Sequence, residues 1–294
     1  MIDPSQLQTL TAILDTGSFD AAAARLGVTP SAVSQRLKAL EDRLGTALII
    51  REQPARATEA GLRLARHAED VRLLEQGLAA DLGAGLAAER PVVRIAVNAD
   101  SLATWVLPAL VAAPDLLYDL VIDDQDHSAD LLRRGEVQAA VTAHAAPVTG
   151  CDCHALGALR YVATASPGFV ARWFPDGITA QNLARAPAMT FNRKDRLQRD
   201  WAAAMAGKRI PLPSHHLASS QAFVEAARLG LGWGMNPEPL VRDDITGGRL
   251  VALAPDRPLD TELYWQVNRL TARALAPLTT AIRKAAKTSL LPSE

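Results

Sequence analysis

Ser31, Ser34, Gln35 and Lys38 recur at i, i+3, i+4 and i+7, a spacing that gathers them on one side of an α-helix. On such a face, short hydroxyls let the backbone approach phosphates, an amide can address a base edge, and an ammonium can neutralise a phosphate. Val33, Leu37, Leu40 and Leu44, at i, i+4, i+7 and i+11, make the opposite face apolar. Thr29 is placed to cap this helix, Pro30 to occupy its first position, and Gly27 to supply a left-handed turn after the helix before it. The pattern predicts two short helices joined by a tight turn, the second shaped to enter a major groove. An ordinary surface hairpin shares the periodicity, but the flanks favour DNA. Leu7, Leu10 and Leu14 form an earlier amphipathic helix, and a β-prone stretch with Arg51, a turn at Pro54 and Arg56 outline a wing. The candidate DNA contacts are Phe19, Thr29, Ser31, Ser34, Gln35, Arg36, Lys38, Arg51 and Arg56.

A second set of residues suits a small ligand. In an open α/β sheet, ligands sit beyond the carboxyl ends of strands, where loops enter helices. Asn98-Ala-Asp-Ser101 follows a strand expected over 92–97, and a helix is expected from about Leu102. Asn98 and Ser101 can hold a carboxylate and Asp100 an ammonium group, although Asp and Ser are also ordinary helix caps. Asp123, Asp124 and Asp126 end another strand; three carboxylates so close repel unless solvated or offset by a cation. A ligand with a carboxylate head and a cationic tail fits both places, which describes lysine and arginine. Phe191, Asn192, Ser219 and Ser220 are candidates from the opposite side. Trp105, Trp233 and Trp265 can wall the cleft, but aromatic residues are more often plain core. His144 follows a strand end and can orient a carboxylate, although a lone His there is more often incidental.

These residues need elements to hold them. At 294 residues the chain has room for two or three compact units, and its formal charge of −1 excludes a bulk polyanion binder. The distribution is uneven. From Arg25 to Arg66, basic residues stand at 25, 36, 38, 43, 51, 56, 63 and 66 against acidic ones at 41, 42, 52 and 59. A helix is expected over 58–88, with a heptad-like seam through Leu64, Val71, Leu74, Leu78 and Leu82; Gly83, Gly85 and Pro91 mark the exit from it. Beyond residue 92, strands expected over 120–123, 137–142, 161–165, 188–191 and 263–267 alternate with helices over 195–206, 221–229 and 273–287. No apolar run of about 18 residues occurs and no signal peptide precedes the first helix, so a cytoplasmic protein with no membrane contact is expected. Cys151 and Cys153 are too close for an unstrained disulfide. With His154 they invite a metal reading, but no second ligand group stands at a credible spacing, so neither metal nor other cofactor is expected.

The run from Ser18 to Gly61, with Leu-Gly at 44–45, Ile-Ile-Arg at 49–51 and Thr58-Glu-Ala-Gly61, resembles LysR-type transcriptional regulators. Val97-Asn-Ala-Asp-Ser-Leu-Ala-Thr-Trp105 and Leu132-Arg-Arg-Gly-Glu136 look like the ArgP/LysG subgroup, regulators of basic amino acid export. The resemblance covers nearly the whole chain and is most specific around Asp100. It implies a winged helix-turn-helix over 1–58, a linker and dimerisation helix over 59–90, and an effector domain over 91–294. That domain would be α/β, of two lobes like a periplasmic binding protein: lobe I about 91–160 plus 268–294, lobe II about 161–267. It further implies promoter DNA and lysine or arginine as partners, a homodimer or tetramer, RNA polymerase as a candidate partner, and activation of an exporter gene. Two other readings compete: a regulator of a different effector, or an architectural DNA binder that ignores small molecules. An enzyme is not expected, because no P-loop, nucleophile elbow, HExxH or dinucleotide fingerprint occurs.

Overall fold

The computed structural model describes residues 2–82, 90–123 and 128–293. The chain divides into two compact units, Met1–Val93 and Arg94–Glu294. Among the described residues no helix is long and apolar enough to cross a membrane.

The first unit opens with α1 (Pro4–Thr16), α2 (Phe19–Leu26) and α3 (Pro30–Leu44). Each starts on a side-chain cap: Asp3 accepts from the Ser5 amide, Ser18 from Ala21 and Thr29 from Ala32. Gly27 ends α2 at φ +64°, a left-handed conformation that costs glycine nothing, and so permits the tight turn into α3. Leu10, Ile13, Val33, Leu37 and Leu40 are buried together with Leu48 and Ile49. Full burial of a leucine contributes about 1.5–3 kcal/mol, so this small core is the main support of the hairpin. Leu44 departs from the expected stripe. It stands 41% exposed in the last turn of α3, and Leu48 fills the core in its place. A two-stranded wing follows, β1 (Ile49–Ile50) antiparallel to β2 (Arg56–Ala57), with Ile50 opposite Arg56.

Next comes α4 (Glu59–Asp81); the remainder of the expected helix, with Gly83 and Gly85, lies outside the described residues. Its start is fixed by a close approach, since a Cβ on Gly61 would stand 2.0 Å from the Leu48 carbonyl oxygen. Leu64 packs on the core of the winged unit and Leu73 is buried, whereas Leu74, Leu78 and Leu82 are exposed.

The second unit is α/β. β3 (Val92–Val97) leads into the single turn α5 (Ala99–Ser101), a π-helical stretch over Leu102–Val106, and α6 (Leu107–Val111). The helix thus starts three residues earlier than its pattern suggests. Pro108 has no N–H to give the preceding turn, and the wider π spacing upstream absorbs the missing rung. β4 (Leu117–Ile122), α7 (Ser128–Arg133), β5 (Ala139–Thr142) and the long β6 (Cys151–Ala165) follow. Then come α8 (Pro167–Trp173), α9 (Ala180–Leu183), β7 (Ala188–Thr190), α10 (Leu197–Ala206), β8 (Ser214–His216) and α11 (Ser220–Arg228). The chain ends with β9 (Gly234–Pro237), α12 (Glu238–Thr246), β10 (Val251–Ala252), β11 (Leu259–Asn268) and α13 (Ala276–Ser289).

One sheet has the order β10-β6-β11-β5-β3-β4, with β9 also on β6. β6 and β11 are its spine. Their later and earlier halves pair through Arg160 and Asp260, whose side chains form a bidentate ion pair at 2.8 Å. Tyr264–Val267 of β11 lie beside β5, while β9 and β10 pair with the far end of β6. β7 and β8 pair in parallel and meet the rest through a bridge from Ala188 to Trp233. The two long strands therefore run from one set of elements to the other, as in a two-lobed periplasmic-binding-protein-like domain.

Candidate DNA-reading surface and effector cleft

On α3, Ser31, Gln35 and Lys38 are exposed, while Ser34 and Arg36 are half-buried. Thr29 spends its hydroxyl oxygen on the Ala32 amide and lies 3.0 Å from the Ser31 hydroxyl, so its position is that of a cap. Arg36 stands close enough to Asp3 to add to the pull on its carboxyl. That carboxyl lies below the ordinary range chiefly because Ser5 donates to it. Arg51, just after β1, lies over the Phe19 ring at 5.4 Å, a cation–π distance. Phe19, Ser34, Arg51 and Gln53 line one groove, so the start of α2, the reading helix and the wing meet there. Arg56 is exposed on the second wing strand. Gln53 has no periodicity to mark it and was not a sequence candidate.

In the second unit, Asn98 accepts from the Ser101 amide at 3.2 Å and so caps α5, the bland alternative for that residue. Asp100 does more. One carboxylate oxygen accepts from the Ser220 hydroxyl at 2.6 Å and the other from the Tyr161 hydroxyl at 3.0 Å. Three separated segments thus converge on one carboxylate, and Tyr161, which the sequence marks only as a strand residue, joins the site. Ser219 caps α11 by accepting from Ala222 at 3.3 Å, which orients Ser220 one residue later. The Ser101 side chain is fully buried, and its Oγ finds no partner among the described residues; the Trp105 Nε1 is in the same position. Both belong to the helical stretch that follows β3. Leaving a buried donor unmet costs about 1–3 kcal/mol, so each is a candidate donor to a polar ligand.

The Asp123 amide donates to the Val97 carbonyl at 3.3 Å, which sets this half-buried aspartate beside the strand that leads into Asn98. Asp124 and Asp126 lie outside the described residues. Phe191 is half-buried with its amide on Asp195, and Asn192 accepts from the amides of Lys194 and Asp195, closing a self-contained loop. For two of the three tryptophans the plain-core alternative holds. Trp233 and Trp265 have no exposed surface: Trp233 packs 5.2 Å from Trp201, and the Trp265 indole donates to Thr279. Their large rings satisfy core packing, and the Trp233 Nε1, like that of Trp105, has no partner among the described residues. Trp105 is 1% exposed, so only its indole N–H remains of interest. His144 is exposed, and its backbone carbonyl accepts from Gln266. Cys151 and Cys153 are in no disulfide, and burial pushes both thiols up from the ordinary range, which leaves little thiolate.

A winged helix-turn-helix followed by a two-lobed α/β domain defines a DNA-binding transcriptional regulator of the ligand-sensing kind. Residues 4–62 match the family described as "Bacterial regulatory helix-turn-helix protein, lysR family", and residues 86–287 match "LysR substrate binding domain". The chain belongs to the LysR family of transcriptional regulators. It is 46% identical over 291 residues to the "HTH-type transcriptional regulator LysG" of Mycobacterium tuberculosis (strain ATCC 25618 / H37Rv), covering 97% of this chain and 95% of that one. The crystal structure of ArgP from Mycobacterium tuberculosis superposes with a TM-score of 0.80 at 45% identity, over all of both chains. The "Lysine export transcriptional regulatory protein LysG" of Corynebacterium glutamicum is 41% identical over 99% of this chain and all of that one. Full-length LysG from Corynebacterium glutamicum "with bound effector Arg" aligns at a TM-score of 0.68 and 40% identity, over 99% of this chain and 100% of that one.

Proposed function

We propose that this protein is a cytoplasmic regulator that binds promoter DNA as a dimer or tetramer and responds to lysine or arginine, controlling a gene for basic amino acid export. The carrying observation is the convergence on Asp100 of Ser220 and Tyr161, beside the Ser101 hydroxyl, which has no partner among the described residues. In this reading the effector carboxylate takes the donors of Ser101 and Trp105, and its cationic end lies toward Asp123 and Asp124. The names of the LysG and ArgP relatives, one of them solved with arginine, support a basic amino acid over other effectors.

On the DNA side, Gln35 addresses a base edge with Ser31, Ser34 and Arg36 around it, while Lys38, Arg51 and Arg56 neutralise phosphates. The exposed leucines of α4 form the seam to a second copy, which brings two reading heads to a two-fold related site. Activation through RNA polymerase is the expected output. Titration of the full-length protein with arginine, lysine and leucine tests the assignment, read by calorimetry and by the DNA footprint. Binding of the basic amino acids with a changed footprint is expected. DNA binding that ignores all three would make the protein an architectural binder or a sensor of another ligand.

A further inference from the structure

Glu41 lies seven residues after Ser34 and three after Lys38, on the stripe of α3 that the proposed function turns toward DNA. A carboxylate there repels phosphates, so its presence calls for a reason. The structure supplies one. Its Oε1 accepts from the backbone amide of Leu48 at 2.8 Å and from that of Ile49 at 3.4 Å. Leu48 is clamped from its other side as well, because its carbonyl accepts from the Thr58 amide at 2.9 Å. Ile49 opens the wing, and Arg51 and Arg56 lie just past Ile50 and opposite it. One side chain on the reading helix therefore holds the first two amides of the segment that carries both wing cations. Leu48 is fully buried, so its amide has no water to turn to if the carboxylate leaves.

We infer that Glu41 is a positioning residue, which fixes the wing against the reading helix so that Arg51 and Arg56 meet phosphates while Gln35 is seated on its base. The inference rests on the DNA contacts proposed above. The carboxylate touches no DNA itself. Its charge is drawn away from the groove by two amide donors, and it acts through the placement of two guanidinium groups.

The test uses the full-length protein with two probes, a duplex selected by the wild type from a random pool and a random-sequence duplex. Affinity is measured as a function of salt. Glu41→Ala is expected to weaken both about tenfold. It should also flatten the plot of log K against log salt by about 0.9–1.8, the slope carried by one or two lost phosphate contacts. Glu41→Gln keeps an acceptor at the same reach and should stay within about threefold of wild type on both measures. Glu41→Asp, one methylene shorter, should behave like alanine. A merely structural role would lower Tm in Glu41→Ala and leave the salt slope of the folded fraction unchanged, and that result overturns the inference. So does tighter DNA binding by both Glu41→Ala and Glu41→Gln, which would mean a carboxylate facing phosphate. If Glu41→Ala does not fold, the Glu41→Gln and Glu41→Asp pair decides on the same slope. Should Arg51→Ala and Arg56→Ala themselves leave the wild-type slope unaltered, the proposed wing contacts fail first, and the positioning role of Glu41, which rests on them, falls with them.

Discussion

At the scale of single residues, the reading face separates two jobs that one substitution each can tell apart. Gln35 is exposed on α3 between Ser31 and Lys38, within reach of base edges in the proposed pose. Gln35→Ala should cost about 1–3 kcal/mol on a selected duplex and almost nothing on random DNA, so discrimination falls. Arg56→Ala should weaken both duplexes alike and reduce the salt slope by about 0.9. Competition binding at two salt concentrations checks both; a Gln35→Ala protein with wild-type selectivity would remove Gln35 from the base contacts. This face was legible because a helix writes its neighbours into the sequence at fixed spacing. Thr29, Pro30 and Gly27 were legible for the same reason, since caps are local. The role of Glu41 was not, because it depends on where the chain returns after Gly45. Nor was the burial of Trp233 and Trp265, which packing around distant residues decides and no local pattern records.

At the scale of elements, α4 has two faces with different fates. Leu64 and Leu73 are spent within the unit, while Leu74 and Leu78, with Leu82 just past the helix end, form a four-residue repeat left in the open. Leu78 is 58% exposed, so a charge there leaves the folded protomer intact and strikes only an apolar partner surface. Leu78→Asp is expected to shift light scattering at dilute concentration toward the monomer, with Tm little changed at the protomer level. An unaltered oligomer would take the seam out of the assembly. A second element-scale device braces α11, whose first residue, Ser220, holds Asp100. Asp244 of α12 is buried and accepts from Arg228 at the end of α11, at 2.8 Å, and from Arg249. Burial by itself would raise this carboxyl, but the hydrogen bonds from Arg228 and Arg249 outweigh it and hold it below the usual carboxylate range. A carboxyl lowered on folding stabilises above its unfolded value, about 3.9, and loses that contribution as pH falls through its folded value. Asp244→Asn should therefore cost about 1–3 kcal/mol at neutral pH and little in acid, read as converging melting temperatures below about pH 4. A constant difference down to pH 2 would disprove an ionic origin. Element types were largely legible in the alternation of strand and helix, but lengths were not. Only 161–165 read as strand where β6 spans Cys151–Ala165, because Cys151-Asp-Cys-His-Ala-Leu-Gly157 has no β-branched residue and is held extended by its pairing with β11.

At the scale of the whole molecule, function depends on coupling between ligand and DNA, and the contacts that would carry it are long-range. Asp100 meets residues 61 and 120 positions further along the chain, a convergence that spacing cannot announce; residue type marked Asp100 and Ser220 only as separate candidates for a ligand. A ligand shifts such an arrangement only by binding one form of it better than another, by several kcal/mol for a near-complete shift. The proposed pose divides that differential affinity between two ends of the amino acid, and each end has its own test. At the carboxylate end, Ser101→Ala and Trp105→Phe each remove one buried donor while keeping most of the volume. Each should weaken arginine and lysine equally, by about 1.5–3 kcal/mol for a hydrogen bond to a charged group. At the cationic end, Asp123→Asn combined with Asp124→Asn keeps the shape and removes the charge. Affinity for arginine and lysine should drop, and discrimination against a neutral amino acid such as leucine should shrink with it. Calorimetry on the full-length protein measures all of these, and a footprint on the same samples shows whether lost affinity carries lost response. Unchanged arginine and lysine affinity in the double asparagine protein would move the cationic subsite elsewhere in the cleft. Absence of any basic amino acid binding to the wild type would end the effector assignment, and leave the DNA-reading half of the proposal to stand on its own salt slopes.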